Sequence, residues 1–224
     1  MNNSWMVLLS MALLLGVRHG FDLDHLSIID SITRTVNNDL YFYKLVGVLF
    51  SLGHGIVVTF ASLVIGSGLI QSQVPTWLNN IGNLISIFFL FVFSFITFLN
   101  IITNYSHAIS TSKLNDFVLF RIKKRINPLI VILIGALFAF SFDTISQVAL
   151  FSLSASAFAG WPFAGVLGIT FTLGMMISDG LNGLITSAII KHADITSFIF
   201  SRTISFAIAL FSLVIGMMNL MKAF

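Results

Sequence analysis

Residues 5–25 read Trp5-Met-Val-Leu-Leu-Ser-Met-Ala-Leu-Leu-Leu-Gly-Val-Arg18-His19-Gly20-Phe21-Asp22-Leu23-Asp24-His25, an apolar run that ends in five ionisable side chains. A charged group at membrane depth costs about 2.5 kcal/mol or more, so such a cluster has no place on a helix that merely faces lipid. The stretch predicts a membrane span and a site on the same helix.

The rest of the chain agrees with a membrane setting. Hydrophobic residues make up 57% and charged residues 8%, with a mean hydropathy of +1.02, against about 25% charged in soluble domains. Apolar runs of about 20 residues, enough to cross a hydrocarbon core, recur through all 224 residues and leave no room for a soluble domain. The expected fold is all-α, a polytopic membrane bundle of about six transmembrane helices.

Cysteine is absent, which excludes disulfides, iron–sulfur sites and thiolate metal sites. Glutamate is absent too: every acid is an aspartate, namely Asp22, Asp24, Asp30, Asp39, Asp116, Asp143, Asp179 and Asp194. The formal charge of +3 resides mainly in loops, so it reports topology and contact with the lipid bilayer, and no basic face suggests nucleic acid. The start, Met1-Asn2-Asn3-Ser4, lacks the basic region of a signal peptide, and the first run is expected to be retained.

Taken in order, the first helix is predicted over 5–34, continuous through the His/Asp cluster, with Asp30 and Arg34 able to pair at i, i+4 as a structural contact. A loop over 34–44 leads to a second helix over 45–70, an uncharged connector over 71–76 and a Phe-rich third helix over 77–103. Residues 104–127 are the longest polar stretch and carry Lys113, Arg121, Lys123, Lys124 and Arg125 against Asp116. The positive-inside rule makes that loop cytoplasmic. Further helices are predicted over 128–159, 161–190 and 197–221, which places 34–44 and 191–196 inside and both termini outside.

Sliding the sequence on itself gives a repeat. Phe21-Asp22 recurs 121 residues later as Phe142-Asp143, and the block from Val46 to Gly53 recurs at the same shift from Leu167 to Gly174. The chain then divides into a first three-helix repeat (1–103), the basic loop (104–127) and a second three-helix repeat (128–224). An odd number of helices per repeat requires the second to be inserted upside down, and inverted repeats place substrate near the bilayer midplane where they meet.

On a regular helix His19, Asp22 and His25 form a stripe, with Asp24 about 140° away from His19. His19 and His25 are separated by about 9 Å of helical rise, whereas metal donors stand about 2 Å from the ion. Either Asp22 chelates with one His, or the helix loosens around Gly20. Asp24 then rotates in, or accepts a His N–H. On the other helices the candidates are His54, Asp143, Thr144, Gln147, Met175, Asp179 and Asn182, with Met175 and His54 equivalent under the repeat. Imidazole with carboxylate suits borderline divalent ions such as Ni²⁺, Co²⁺, Zn²⁺ or Fe²⁺. Structural readings stand beside these: His54 bonding a neighbouring helix, Asp143 or Asp179 pairing with Arg18, Met175 as packing, and His107 and His192 solvated near loops.

These residues resemble those of the nickel/cobalt transporter family of single-component permeases. The family signature R-H-A-x-D-A-D-H is matched by Arg18 to His25 except at Gly20 and Leu23, and F-x-x-G-H-S by Phe50, Gly53 and His54, with Gly55 replacing Ser. Of L-G-F-D-T-A-T-E the chain keeps Phe142-Asp143-Thr144 and has Gln147 where the family has Glu. Of G-M-x-x-x-D-T-x-D it keeps Gly174, Met175 and Asp179, with Gly180 and Asn182 replacing Thr and the last Asp. The chain is also short for the family, with six expected helices where eight are usual.

The resemblance implies uptake of a divalent metal ion across a prokaryotic cytoplasmic membrane. The ion is expected to be Ni²⁺ or Co²⁺, with Fe²⁺, Zn²⁺ and Mn²⁺ as further candidates, and is carried as substrate with no permanently bound cofactor. His19, Asp22, Asp24, His25 and His54 are the expected metal ligands, and Asp143, Thr144, Gln147, Met175, Asp179 and Asn182 the expected gate or supporting residues. One rival is a metal-binding membrane subunit of a multi-component transporter. An intramembrane metalloprotease is less favoured, because H-E-x-x-H needs a general-base Glu and the chain has none. The sequence leaves self-association open.

Overall fold

A computed structural model describes residues 3–36, 42–68, 126–140, 145–156 and 160–191, with parts of 81–98 and 203–221. All regular structure among them is helical: α1 (Asn3–Gly20), α2 (Leu23–Thr35), α3 (Phe42–Gly66), α4 (Pro128–Phe138), α5 (Ile145–Ala155) and α6 (Trp161–Lys191). Apolar helix also lies within Ile87–Phe98 and Ala209–Met218, where the Ser94 hydroxyl donates to the Ala209 carbonyl at 2.9 Å. The basic loop over 104–127, together with His107, His192 and Asp194, falls outside the described residues.

Among the described residues two helices, α3 and the Trp161–Ile189 part of α6, are long and apolar enough to cross a bilayer, and α1 and α2, bent by 56° at their break, pass the same test together. The exterior is apolar, with Trp5, Leu14, Phe60 and Leu129 all exposed, whereas His19, His25, Asp30, His54, Gln147 and Asp179 are buried. Apolar outside and polar inside is the arrangement lipid demands. The protein is an integral membrane protein.

The continuous first helix expected over 5–34 is corrected to a broken one. Phe21 and Asp22 donate their backbone N–H groups to Arg18 and His19, in tight turns, and Asp22 is extended at φ −64°, ψ 143°. The Asp24 carboxylate takes the His25 backbone N–H at 2.9 Å, a local side-chain bond of the kind that competes with helix. The single helix expected over 128–159 is likewise corrected to two. Asn127 caps α4 by accepting from the Ile130 N–H, with Pro128 behind it, and α4 closes at Phe138, where Phe140 donates to the Leu137 carbonyl. Asp143 and Thr144 lie between α4 and α5, outside the described residues.

Small residues let the helices approach closely. A Cβ on Gly47 would overlap the Asp179 carbonyl, one on Gly55 would strike Thr172, and one on Gly168 would lie 2.8 Å from the Thr59 Cα, so α3 and α6 run antiparallel. Trp5 meets Phe163, Gly16 abuts the Phe171 carbonyl, Gly20 abuts Ser178, and Asp30 reaches Thr186, so α1 and α2 run parallel to α6. In the same way Gly135 of α4 abuts the Phe50 carbonyl of α3. α3, expected over 45–70, ends at Gly66, two residues before Gly68 at φ +73°.

Candidate metal centre

The break between α1 and α2 changes what the first span presents. In one continuous helix His19 and His25 would stand about 9 Å apart along the axis; here their ring centroids are 4.5 Å apart. His54 of α3 completes a triangle, 5.1 Å from His19 and 4.9 Å from His25. All three imidazoles are at most 1% exposed, and each offers a ring nitrogen within 4.8 Å of the others.

Carboxylates fix two of the rings. His19 Nδ1 lies 2.9 Å from Asp22 Oδ2, and His25 Nδ1 lies 3.1 Å from Asp179 Oδ2. An ionised carboxylate only accepts, so each Nδ1 donates its hydrogen, and in the neutral imidazole Nε2 then keeps a lone pair. His25 Nε2 has no hydrogen-bond partner, and neither has His54 Nδ1. His19 Nε2 and His54 Nε2 face each other at 3.2 Å, and Gln147 Nε2 also reaches His54 Nε2, at 2.9 Å. Nitrogens 3.2 Å apart suit two donors each about 2 Å from one ion.

The surroundings hold this geometry in place. Ser51 donates to Asp179 Oδ2 at 2.6 Å, and Phe50 and Phe138 pack edge-on against His25 while Phe171 lies beside His19. Water is excluded by rings on three helices. Arg18 donates to Ser146 at 2.7 Å, and Asp179 takes His25 as its partner in place of Arg18.

Of the residues singled out in the sequence, His19, Asp22, His25, His54, Gln147 and Asp179 come together. Asp24 turns back to its own backbone, and Met175 packs among Ala12, Val58 and Phe171. Asn182 is one turn beyond Asp179 on α6, its amide nitrogen buried without a hydrogen-bond partner. Ser51, Phe138 and Phe171 were missed, and Phe50 was named only as part of the F-x-x-G-H-S motif. The signal for Ser51 was its place four residues after Gly47 and four before Gly55, on the small-residue face of α3.

A helical membrane protein with three imidazoles, two carboxylates and an amide gathered at depth has the donor set of a borderline-cation site in a transport protein. The family described as "High-affinity nickel-transport protein" (NicO) matches residues 5–224. The chain belongs to that family, one of transport proteins and not of enzymes. It is 28% identical over 240 residues to the "Nickel transporter NixA" of Staphylococcus aureus, covering 95% of this chain and 71% of that one. It is 30% identical over 247 residues to the "High-affinity nickel transport protein" of Cupriavidus necator, covering 94% and 69%. The "Nickel transporter NicT" of Mycobacterium tuberculosis is 29% identical over 198 residues, covering 75% and 53%. No solved structure matches.

Proposed function

We propose that the protein is a permease that takes up Ni²⁺, and Co²⁺ by the same donors, across the cytoplasmic membrane. The observation that carries this reading is the buried triangle of His19, His25 and His54, in which His25 Nε2 and His54 Nδ1 have no hydrogen-bond partner. A cation substrate supplies the partner that His25 Nε2 lacks. His19, His25 and His54 hold it; Asp22 and Asp179 orient two of the rings and offset the ion's charge. Gln147 must release His54 Nε2 as the ion enters, or turn its amide oxygen inward as a further donor.

The same reading extends to six spans arranged as two inverted three-helix repeats, 1–103 and 128–224, joined by the loop 104–127. Three features support it. α3 and α6, equivalent under the 121-residue shift, run antiparallel with Gly47 against Asp179–Gly180 and its equivalent Gly168 against Thr59. Phe50 and Phe171, also equivalent, each offer a carbonyl to a glycine of the other half's first helix, Gly135 and Gly16. The break at Phe21-Asp22 recurs between the end of α4 and the start of α5.

Sidedness follows from charge. α2 ends near Arg34, α3 begins near Lys44 and α6 ends at Lys191, all at one end of the bundle, whereas the opposite ends at Asn3, Gly66 and Trp161 carry no Lys or Arg. The basic end is cytoplasmic by the positive-inside rule.

The test is Ni²⁺ and Co²⁺ uptake by the purified protein in proteoliposomes beside the His25→Ala variant. Accumulation by the wild type that the variant loses at least a hundredfold is the expected result. Ni²⁺ binding without accumulation would instead assign the chain to a receptor subunit of a larger transporter. Uptake unchanged in His25→Ala would remove the triad from the path.

A further inference from the structure

Below the triad a second polar group lies inside the protein, and the reading above gives it no role. Asp30 of α2 is 3% exposed; its Oδ2 accepts from Arg34 Nε at 2.9 Å and its Oδ1 from the Thr186 hydroxyl of α6 at 3.4 Å. A buried ion pair is a poor stabiliser, often matched or bettered by apolar residues of the same volume. Its place in the fold suggests a different use.

Asp179, Asn182 and Thr186 stand on one side of α6 at i, i+3 and i+7, about 10 Å of rise. Asp179 touches His25 at one end of this column and Thr186 touches Asp30 at the other. Between them the Asn182 amide nitrogen is buried with no hydrogen-bond partner. One turn past Asp30, Thr33 is fully buried and its hydroxyl also has no partner. Unmatched polar groups of this kind are costly in an apolar interior, and here they line the interval between the triad and the basic end of the bundle.

We infer that Asp30 is a second, transient cation site on the route from the triad, and that Arg34 is its resident counter-ion, displaced as the cation passes. The inference rests on the triad holding the cargo. A divalent ion leaving three imidazoles needs a carboxylate within a few turns, and Asp30 is five residues beyond His25 on the same helix. In the resting arrangement Arg34 neutralises that carboxylate and closes the route. Its side chain is 15% exposed, against 4% for Asp30, so the guanidinium is the less enclosed partner and the one with room to swing aside when the ion arrives.

The experiment is equilibrium Ni²⁺ titration of the purified full chain, with proteoliposome uptake alongside, for the wild type, Arg34→Gln and Asp30→Asn/Arg34→Gln. Removing the counter-ion alone should expose a second, weaker Ni²⁺ binding event that the wild type and the double variant lack. The double variant leaves no buried charge unpaired; it should bind Ni²⁺ at the triad within about threefold of the wild type yet take it up at least tenfold more slowly. Double-variant uptake within threefold of the wild type, or a single binding event in Arg34→Gln, overturns the inference while leaving the triad in place. A wild type that binds no Ni²⁺ overturns both readings together.

Discussion

Among the described residues two helices are interrupted, α1–α2 and α4–α5, and they differ in content. α1 ends at Gly20 and α2 begins at Leu23, whereas α4 ends at Phe138 and α5 begins at Ile145. α2 buries nine of its 13 residues, five of them Ser, Thr or Asp, whereas α5 buries five of 11. The first break supplies two imidazoles and a ring-orienting carboxylate; from beyond the second, Gln147 and Ser146 reach His54 and Arg18. The two interrupted helices therefore divide the work: the first carries imidazoles, and the second reaches the site with an amide and a hydroxyl.

The largest effect expected from disturbing that division comes from Asp179→Asn. Losing the carboxylate behind His25 should weaken Ni²⁺ affinity by about 10- to 100-fold, the usual cost of removing a group that orients a ligand imidazole, read by titration of the purified protein. Next are the paired glycines. Gly16→Ala and Gly135→Ala each drive a methyl into a backbone carbonyl that cannot rotate away, so each should lower stability by about 1–3 kcal/mol, measured as a fall in Tm in detergent. Similar losses at both sites would mean the frame is shared; a loss at Gly16 alone would mean only the donor-bearing half is tightly packed. The smallest effect belongs to Met175→Leu. Because the thioether packs among Ala12, Val58 and Phe171, this volume-conserving change should leave Ni²⁺ affinity within about twofold and stability within about 1.5 kcal/mol. A tenfold loss of affinity would make Met175 a ligand.

Much of this was legible in the sequence. Composition gave an all-helical membrane protein, and the clustering of His19, Asp22 and His25 gave the position of the candidate site, because ionisable groups at that depth have no cheaper explanation. Spacing also required either partial chelation or a loosened helix near Gly20, and the helix breaks at Phe21-Asp22. What spacing could not supply was the partner across the interface. Whether Asp179 meets Arg18 or His25 depends on how close α1 and α2 come to α6, and that is decided by Gly16, Gly20 and Gly174 abutting backbone and side chains far away in sequence. The break between α4 and α5 was missed because 128–159 is a long apolar run with no proline after Pro128 except Pro162 beyond it, and periodicity alone does not reveal a break inside such a run.

A break at membrane depth has an electrostatic consequence. α2 begins at Leu23, beside the His cluster, and a helix N-terminus carries roughly half a positive charge. Left alone, that field would oppose any cation approaching from the α1 side. Asp22 stands at the cap position and Asp24 in the first turn, its carboxylate already bonded to the His25 N–H. The two acids thus reverse the sign of the field at this helix end whether or not either one ever touches an ion. The local potential at the mouth of α2 is set by that pair and the broken backbone together, so the helix terminus and its two aspartates form a single electrostatic unit.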